Sequence, residues 1–168
     1  MEPTVEMPDM TTYGVERNTW NGLPWSWAAE RLVPNRNYWV VTVSSNGQPH
    51  ALPVWGVWDP VANRFMFSCA STAKKLRNIE ANGRVTVMNA DTVECVSVQG
   101  TARLLPAGAE RRKEWVSAYA AKYGSEVPGD LVEFVRSNSI IEVTPTLAFA
   151  IIEREEEFAT RATRWRFR

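Results

Sequence analysis

The chain has 168 residues, 45% hydrophobic and 23% charged, which fits one folded domain whose core needs no disulfide or metal staple. Nineteen basic and nineteen acidic side chains cancel, arguing against a nucleic-acid binder held by net charge; no apolar run approaches the ~20 residues of a membrane helix, and the acidic opening shows no secretory signal. Two cysteines (Cys69, Cys95) and one histidine (His50) make neither a disulfide framework nor a metal cluster, so a cytoplasmic setting and no metal are expected.

Residues 1–20 are polar, mixed and aperiodic, and are expected to form a flexible arm ahead of a single domain over 21–168. Trp25 to Leu32 has the composition of a short helix, with Ser26 as a candidate cap and Pro34 ending it. Tyr38 to Val43 is β-branched and aromatic. The Asn46-Gly47 pair then supplies a tight hairpin turn into a second strand, Pro49 to Trp58. Asp59-Pro60 breaks the pattern before a third strand, Arg64 to Cys69. Ser71 or Thr72 is a natural N-cap and Gly83 a natural stop for a helix between them. Strands resume at Arg84–Asn89 and Glu94–Leu104, the second long enough to bend or to carry a bulge at Gly100.

The spacing of Trp115, Ala118 and Tyr119 predicts a helix from Ala107 to Lys122, stopped by Gly124. A short helix over Asp130–Arg136 and two strands, Ser139–Thr144 and Leu147–Glu153, follow. The acidic run Arg154–Glu157 reads as a linker, and Thr163–Phe167 as a docked terminal strand with one apolar and one cationic face. The whole is a mainly β chain with a few helices, forming a small barrel with helices outside it.

Eight tryptophans, and lysine only at 74, 75, 113 and 122 among the nineteen basic residues, set the chemical character. Arg and Trp both offer broad planar contact at low entropic cost. Ser71, Thr72, Lys74, Lys75 and Arg77 gather hydroxyls and cations at a helix start, where free N–H groups favour an oxyanion; an ordinary solvated basic face has the same composition. Pro53 and Gly56, set among Trp55 and Trp58, mark a strand that either meets a flat ligand or fills a core or interface. His50 has no Asp or Cys partner in view and reads as a structural group or ligand-contacting donor rather than a base. Gln99, beside Gly100, points to a ligand or to solvent. Both cysteines read as small hydrophobes.

The order of the Trp25-Ser26-Trp27 helix, Tyr38–Val43, Asn46–His50, Pro53–Asp59, Lys75–Ile79, Val98–Ala102 and Thr163–Trp165 resembles the pyridoxamine 5′-phosphate oxidase-like superfamily. More narrowly, it is similar to the flavin/deazaflavin oxidoreductases of the B group. That resemblance implies a split β-barrel homodimer with cofactor sites at the subunit interface. It places the ring against His50, Pro53, Val54, Trp55 and Gly56, and the phosphate near Ser68, Ala70, Ser71, Lys75, Arg77 and Asn78. Gln99 and the partner's Arg164 and Trp165 are implied to complete the site. One departure is Gly83, where relatives carry Pro.

The resemblance further implies hydride transfer without an obligatory catalytic side chain. Coenzyme F420 is the leading cofactor, because the arginine bias suits its oligoglutamate tail. FMN is the alternative, and a flavin- or F420-binding protein without turnover is a third reading. Pyridoxamine phosphate oxidation itself is disfavoured, since the tail supplies Arg but no His.

Overall fold

The computed structural model describes residues 2–125 and 130–168. Eight strands are β1 (Thr4–Glu6), β2 (Asn37–Val43), β3 (Pro49–Asp59), β4 (Arg64–Cys69), β5 (Arg84–Met88), β6 (Glu94–Leu104), β7 (Ser139–Ile152) and β8 (Thr163–Arg166). Five helices are α1 (Trp25–Leu32), α2 (Lys74–Ala81), α3 (Glu110–Tyr123), α4 (Leu131–Ser137) and α5 (Glu155–Arg161). All pairings are antiparallel, in the order β1-β8-β7-β4-β3-β2-β5-β6, and β6 returns to pair with β7. Six strands therefore close a split barrel, the expected architecture, and β8 and β1 extend it from β7. Closure leaves short edges, which limits unwanted strand pairing.

Alternation places Tyr38, Val40, Val85, Val87, Val96 and Val98 inside the barrel with Trp58, Phe65, Phe67 and Trp165. α1 plugs one end: Trp25 packs edge-on against Trp165 and Phe167 and donates its indole N–H to Asn63 Oδ1 at 2.8 Å. A second core lies outside the barrel, where Trp115, Val116, Tyr119 and Tyr123 of α3 and Leu131 and Val135 of α4 cover Val57, Met66 and Ile140. The helices thus sit across β3, β4 and β7.

Several local expectations are corrected. Residues 2–20 are not a loose arm: Thr4–Glu6 pairs with β8, Val15 is buried, and Trp20 donates to the Ala162 carbonyl at 2.7 Å. The acidic run after Arg154 opens α5 rather than a linker. β7 is one strand through Pro145, whose missing N–H falls where the β6 register shifts between Gln99 and Gly100. Gly100 is required there, because a Cβ would lie 2.3 Å from the Thr144 carbonyl oxygen. No side chain caps α1 or α2, which start after Pro24 and Ala73. Gly83 is not a left-handed helix stop. It is small because Ala102 of β6 lies against it, its carbonyl accepting the Ala102 N–H at 2.7 Å.

α3 is fixed at its start by Glu142 of β7, a buried carboxylate that accepts from Arg111 Nε (2.7 Å), Arg103 Nη2 (2.8 Å) and the Trp115 indole (3.4 Å). Burial alone would raise its pKa, yet the Arg103 and Arg111 hydrogen bonds outweigh it and hold the carboxyl below its ordinary value. A depressed native pKa means stability that is present above the unfolded value of about 4.3 and lost as pH falls through the folded one. Because Arg103 and Arg111 also reach water, Glu142→Gln is expected to cost only about 1–2 kcal/mol at pH 7. In urea denaturation followed from pH 7 down to about 3, the gap between wild type and this variant should narrow as the wild-type carboxylate takes up its proton.

Candidate functional site

β3 and β4 are paired only from Gly56–Phe67 to Asp59–Arg64. Beyond that point they part: β4 stays with β7 as far as Cys69, while residues 49–55 of β3 stay with β2. The gap is roofed by α3 and α4, and it forms a cavity of about 920 Å³. That size lies within the range of small-molecule and cofactor pockets. Pro53, Val54 and Trp55 line one wall, Ser68, Cys69, Ala70, Ala73 and Lys75 the second, and Tyr119, Leu131, Phe134 and Asn138 the helical side, with Asp130.

The β3 wall is held rigidly. Trp55 stacks on Tyr123 with ring centres 4.9 Å apart and planes 11° from parallel, and the Arg36 guanidinium lies 4.6 Å from its ring centre. The Tyr123 hydroxyl accepts the Gly56 N–H at 3.0 Å and lies 2.7 Å from the Gly56 carbonyl and 2.8 Å from that of Arg36. Lys122 Nζ reaches the Asn35 carbonyl (2.7 Å), the Tyr38 hydroxyl (2.8 Å), and the Val33 and Gly56 carbonyls (both 3.1 Å). Burial pulls its pKa down to about 8, and the surrounding oxygens favour the ammonium form. These contacts satisfy the β3 backbone at Gly56, just where β2 begins.

Chemical character changes across the cavity. At the α2 end, the first helical turn has no side-chain cap, and Lys75 of that turn lines the cavity. At the centre, burial pushes the Tyr119 phenol up to about 12, with a smaller contribution from Tyr123, against the lowering effect of a Ser68 hydrogen bond. Tyr119 is therefore a neutral donor at physiological pH. Burial likewise raises the Cys69 thiol, opposed by Lys75, which keeps it protonated and unreactive.

Of the residues singled out from sequence, Pro53, Val54, Trp55, Ser68, Ala70 and Lys75 come together here. Ser71 lies outside the lining, and Arg77 donates to the Thr72 carbonyl at 2.6 Å, bracing the turn before α2. His50 sits further along β3, opposite Thr42, with its Nε2 buried. Gln99 lies in a separate groove with Val41, Arg84 and Thr86. Three more make contacts within the fold. Gly56 is closed off by Phe65 and Met66, its smallness serving packing. Asn78 is buried and donates to Thr42 Oγ1 at 2.9 Å, tying α2 to β2. Trp165 is wholly buried inside its own barrel and donates to the Leu23 carbonyl, so it cannot line a ligand site without unpacking the core. Arg164 pairs with Glu6 of β1 at 2.8 Å.

The wall missed from sequence is α3–α4: Tyr119, Leu131, Phe134 and Asn138 share their helical spacing with core residues, and nothing in that period marks which of them face a cavity. Cys69, by sequence a small hydrophobe, also lines the pocket.

The family model for pyridoxamine 5′-phosphate oxidase matches residues 28–151. The chain belongs to that family. Solved structures agree on the fold. A conserved hypothetical protein of Mycobacterium tuberculosis, Rv2991, superposes with a TM-score of 0.66 at 14% identity, over 90% of this chain and 89% of its own. A structure described as an F420 reductase gives 0.57 at 21% identity, over 75% and 98%. The haem storage protein HutZ of Vibrio cholerae gives 0.57 at 14% identity, over 72% and 86%. No curated protein sequence matches the chain.

The tightness of the β3 wall gives a direct test. A Cβ at Gly56 would lie 2.3 Å from the Phe65 ring and 2.6 Å from the Met66 carbonyl oxygen. Gly56→Ala is expected to lose about 1–3 kcal/mol, read from chemical denaturation as a lower midpoint with an unchanged slope.

Proposed function

We propose that the protein is an oxidoreductase that binds a flat flavin-type cofactor, F420 in preference to FMN, in the cavity between β3, β4 and α3–α4. The observation that carries the reading is the pairing of two features in one pocket. A parted strand offers Pro53, Val54 and Trp55 to a planar ring, and an uncapped helix start with Lys75 offers charge to a phosphate. The residues present fit such a group: the space is large enough, the lining is mostly apolar, and the one cationic side chain among the described lining residues, Lys75, stands at one end. Arginine excess over the chain supports the polyanionic deazaflavin over FMN, as does the likeness in fold to a structure described as an F420 reductase.

When bound, the cofactor would supply hydride transfer to or from a small organic molecule. The protein's own part is positional. Lys75 and the first α2 N–H groups hold the phosphate. Trp55, locked by Tyr123 and Arg36, fixes the plane of the ring. Tyr119 lines the cavity as a neutral phenol, and α3–α4 cover one side of it. His50, distant from the lining, takes no step. A haem reading has less support, because the chain's single histidine lies outside the pocket.

A second copy is proposed to cover the outer face of β2, β3 and β5. Register places Trp39 beside Pro53 and Met88, and Val41 beside Ala51 and Thr86, all facing away from the barrel. Trp39, at the middle of this face, is 42% exposed, and exposed apolar surface of this kind marks an interface. The face is continuous with the cavity at Pro53, so a homodimer would enclose the site's open side.

Titration of purified protein into F420 should change deazaflavin fluorescence with micromolar or tighter affinity, and Lys75→Ala should weaken binding tenfold or more. Unchanged affinity in that variant would discard the phosphate assignment. A yellow preparation releasing FMN on denaturation would assign FMN instead. With reduced cofactor bound, stopped-flow oxidation by a panel of enones and quinones is expected; absence of oxidation by every member favours a binding protein.

A further inference from the structure

Behind the cavity, between α3 and α4, lies a second pocket of about 380 Å³. α4 separates the two. Its Leu131, Phe134 and Asn138 line the cavity, whereas Val132 and Arg136, one helical turn apart, line the second pocket. Arg112, Lys113, Val116 and Ser117 of α3 form the facing wall, and Ala107 joins them from the loop before that helix.

The charges here do not cancel. Arg112, Lys113 and Arg136 meet in this lining, and no carboxylate joins them among the described residues. Arg112 spends Nη2 on the carbonyls of Arg136 (2.8 Å) and Asn138 (2.9 Å), which fixes the guanidinium and leaves its charge unneutralised. Arg136 meets Glu133 across 3.6 Å, an exposed pair worth little. Lys113 makes no ion pair or hydrogen bond with any described residue, Glu110 one turn away included. Three cations against the one carboxylate of Glu133 leave an excess of two positive charges. A concave site lined by one sign of charge concentrates its field and draws in the opposite ion. Guanidinium planes match phosphate oxygens, and the Ser117 hydroxyl adds a donor on the same wall. The rest of the lining is apolar: Val116 is buried, Val132 packs against the outer core, and Ala107 adds a methyl group.

We propose that this pocket is a second ligand site, for a small organic phosphate. Its dianionic head sits among Arg112, Lys113 and Arg136, and its apolar body lies on Ala107, Val116 and Val132. A phosphate monoester carries about −1.5 to −2 charges at pH 7, which matches the pocket's excess. The site is independent of the cofactor reading, because Lys75 belongs to the other cavity. A dianion bridging Lys113 of α3 and Arg136 of α4 also braces, from behind, the helix that carries Leu131 and Phe134 into that cavity.

The test is a titration of the full, isotope-labelled chain with phenyl phosphate at low salt, read residue by residue from amide NMR shifts. Saturable shifts should centre on residues 107, 112–117 and 132–136, with millimolar or tighter affinity, and hydrogen exchange of the α4 amides should slow. Lys113→Gln and Arg136→Gln should each weaken binding several-fold, and together tenfold or more, while Lys113→Arg should bind as the wild type does. Both side chains are exposed, so these variants keep the fold, which an unchanged Tm checks. Inorganic phosphate, lacking the apolar body, should bind several-fold more weakly than phenyl phosphate. Shifts confined to 68–75 would place the anion at Lys75 and overturn the proposal, as would undiminished affinity in the double variant or the absence of any saturable shift. Equal affinity for the two phosphates would overturn the role of the apolar floor.

Discussion

The cavity exists because α3 is pinned across the barrel at both ends. At its start, the buried Glu142 carboxylate holds Arg111 and Trp115 against β7. At its end, Lys122 and Tyr123 seize the backbone of β3 at Gly56 and the carbonyls that precede β2. Between these anchors β3 and β4 stop pairing and diverge. The helix bridges the resulting gap instead of filling it. Without the two anchors nothing would hold Tyr119 and α4 opposite Trp55, and the parted strands would be a shallow notch on a barrel surface.

This construction separates stability from binding. The groups that hold α3 in place are spent on protein partners: Glu142 on two arginines, Lys122 on oxygens, Tyr123 on Gly56. The groups left facing the cavity are graded, cationic beside α2, neutral and aromatic at Tyr119 and Trp55, apolar and then acidic at α4. A ligand with a charged tail and a flat head has one sensible orientation in such a gradient. A rigid, pre-shaped lining also spares the ordering cost that flexible sites incur on binding.

Much of the fold was legible because its strands obey period two and its turns use the residues that turns demand. Gly47 takes the positive φ that the Asn-Gly hairpin requires, and the bulge falls at Gly100. Pro145 misled because proline normally breaks a strand, whereas here it sits at a register shift that needs no donor from it. The short β1 carries too few residues to show a period, and its pairing is set by the exposed edge of β8. In the candidate site, Pro53 and Trp55 of β3 and Lys75 of α2 carry sequence signals of their own and line the cavity. Phe134 and Tyr119 carry none, since helical spacing says which residues share a face and is silent on whether that face meets core or cavity. Trp165 shows the same limit: an aromatic residue at strand period fits its own barrel or a neighbour's site equally well until the topology is known.

Hydrogen–deuterium exchange with and without added F420 or FMN tests most directly whether this cleft is where the ligand sits. Protection should concentrate in peptides covering 53–55, 68–75 and the cavity side of α3, because those backbones form the walls around the ring and the phosphate. Protection confined to the separate groove around Arg84 and Gln99, with those peptides exchanging at the rate of the free protein, would contradict the account.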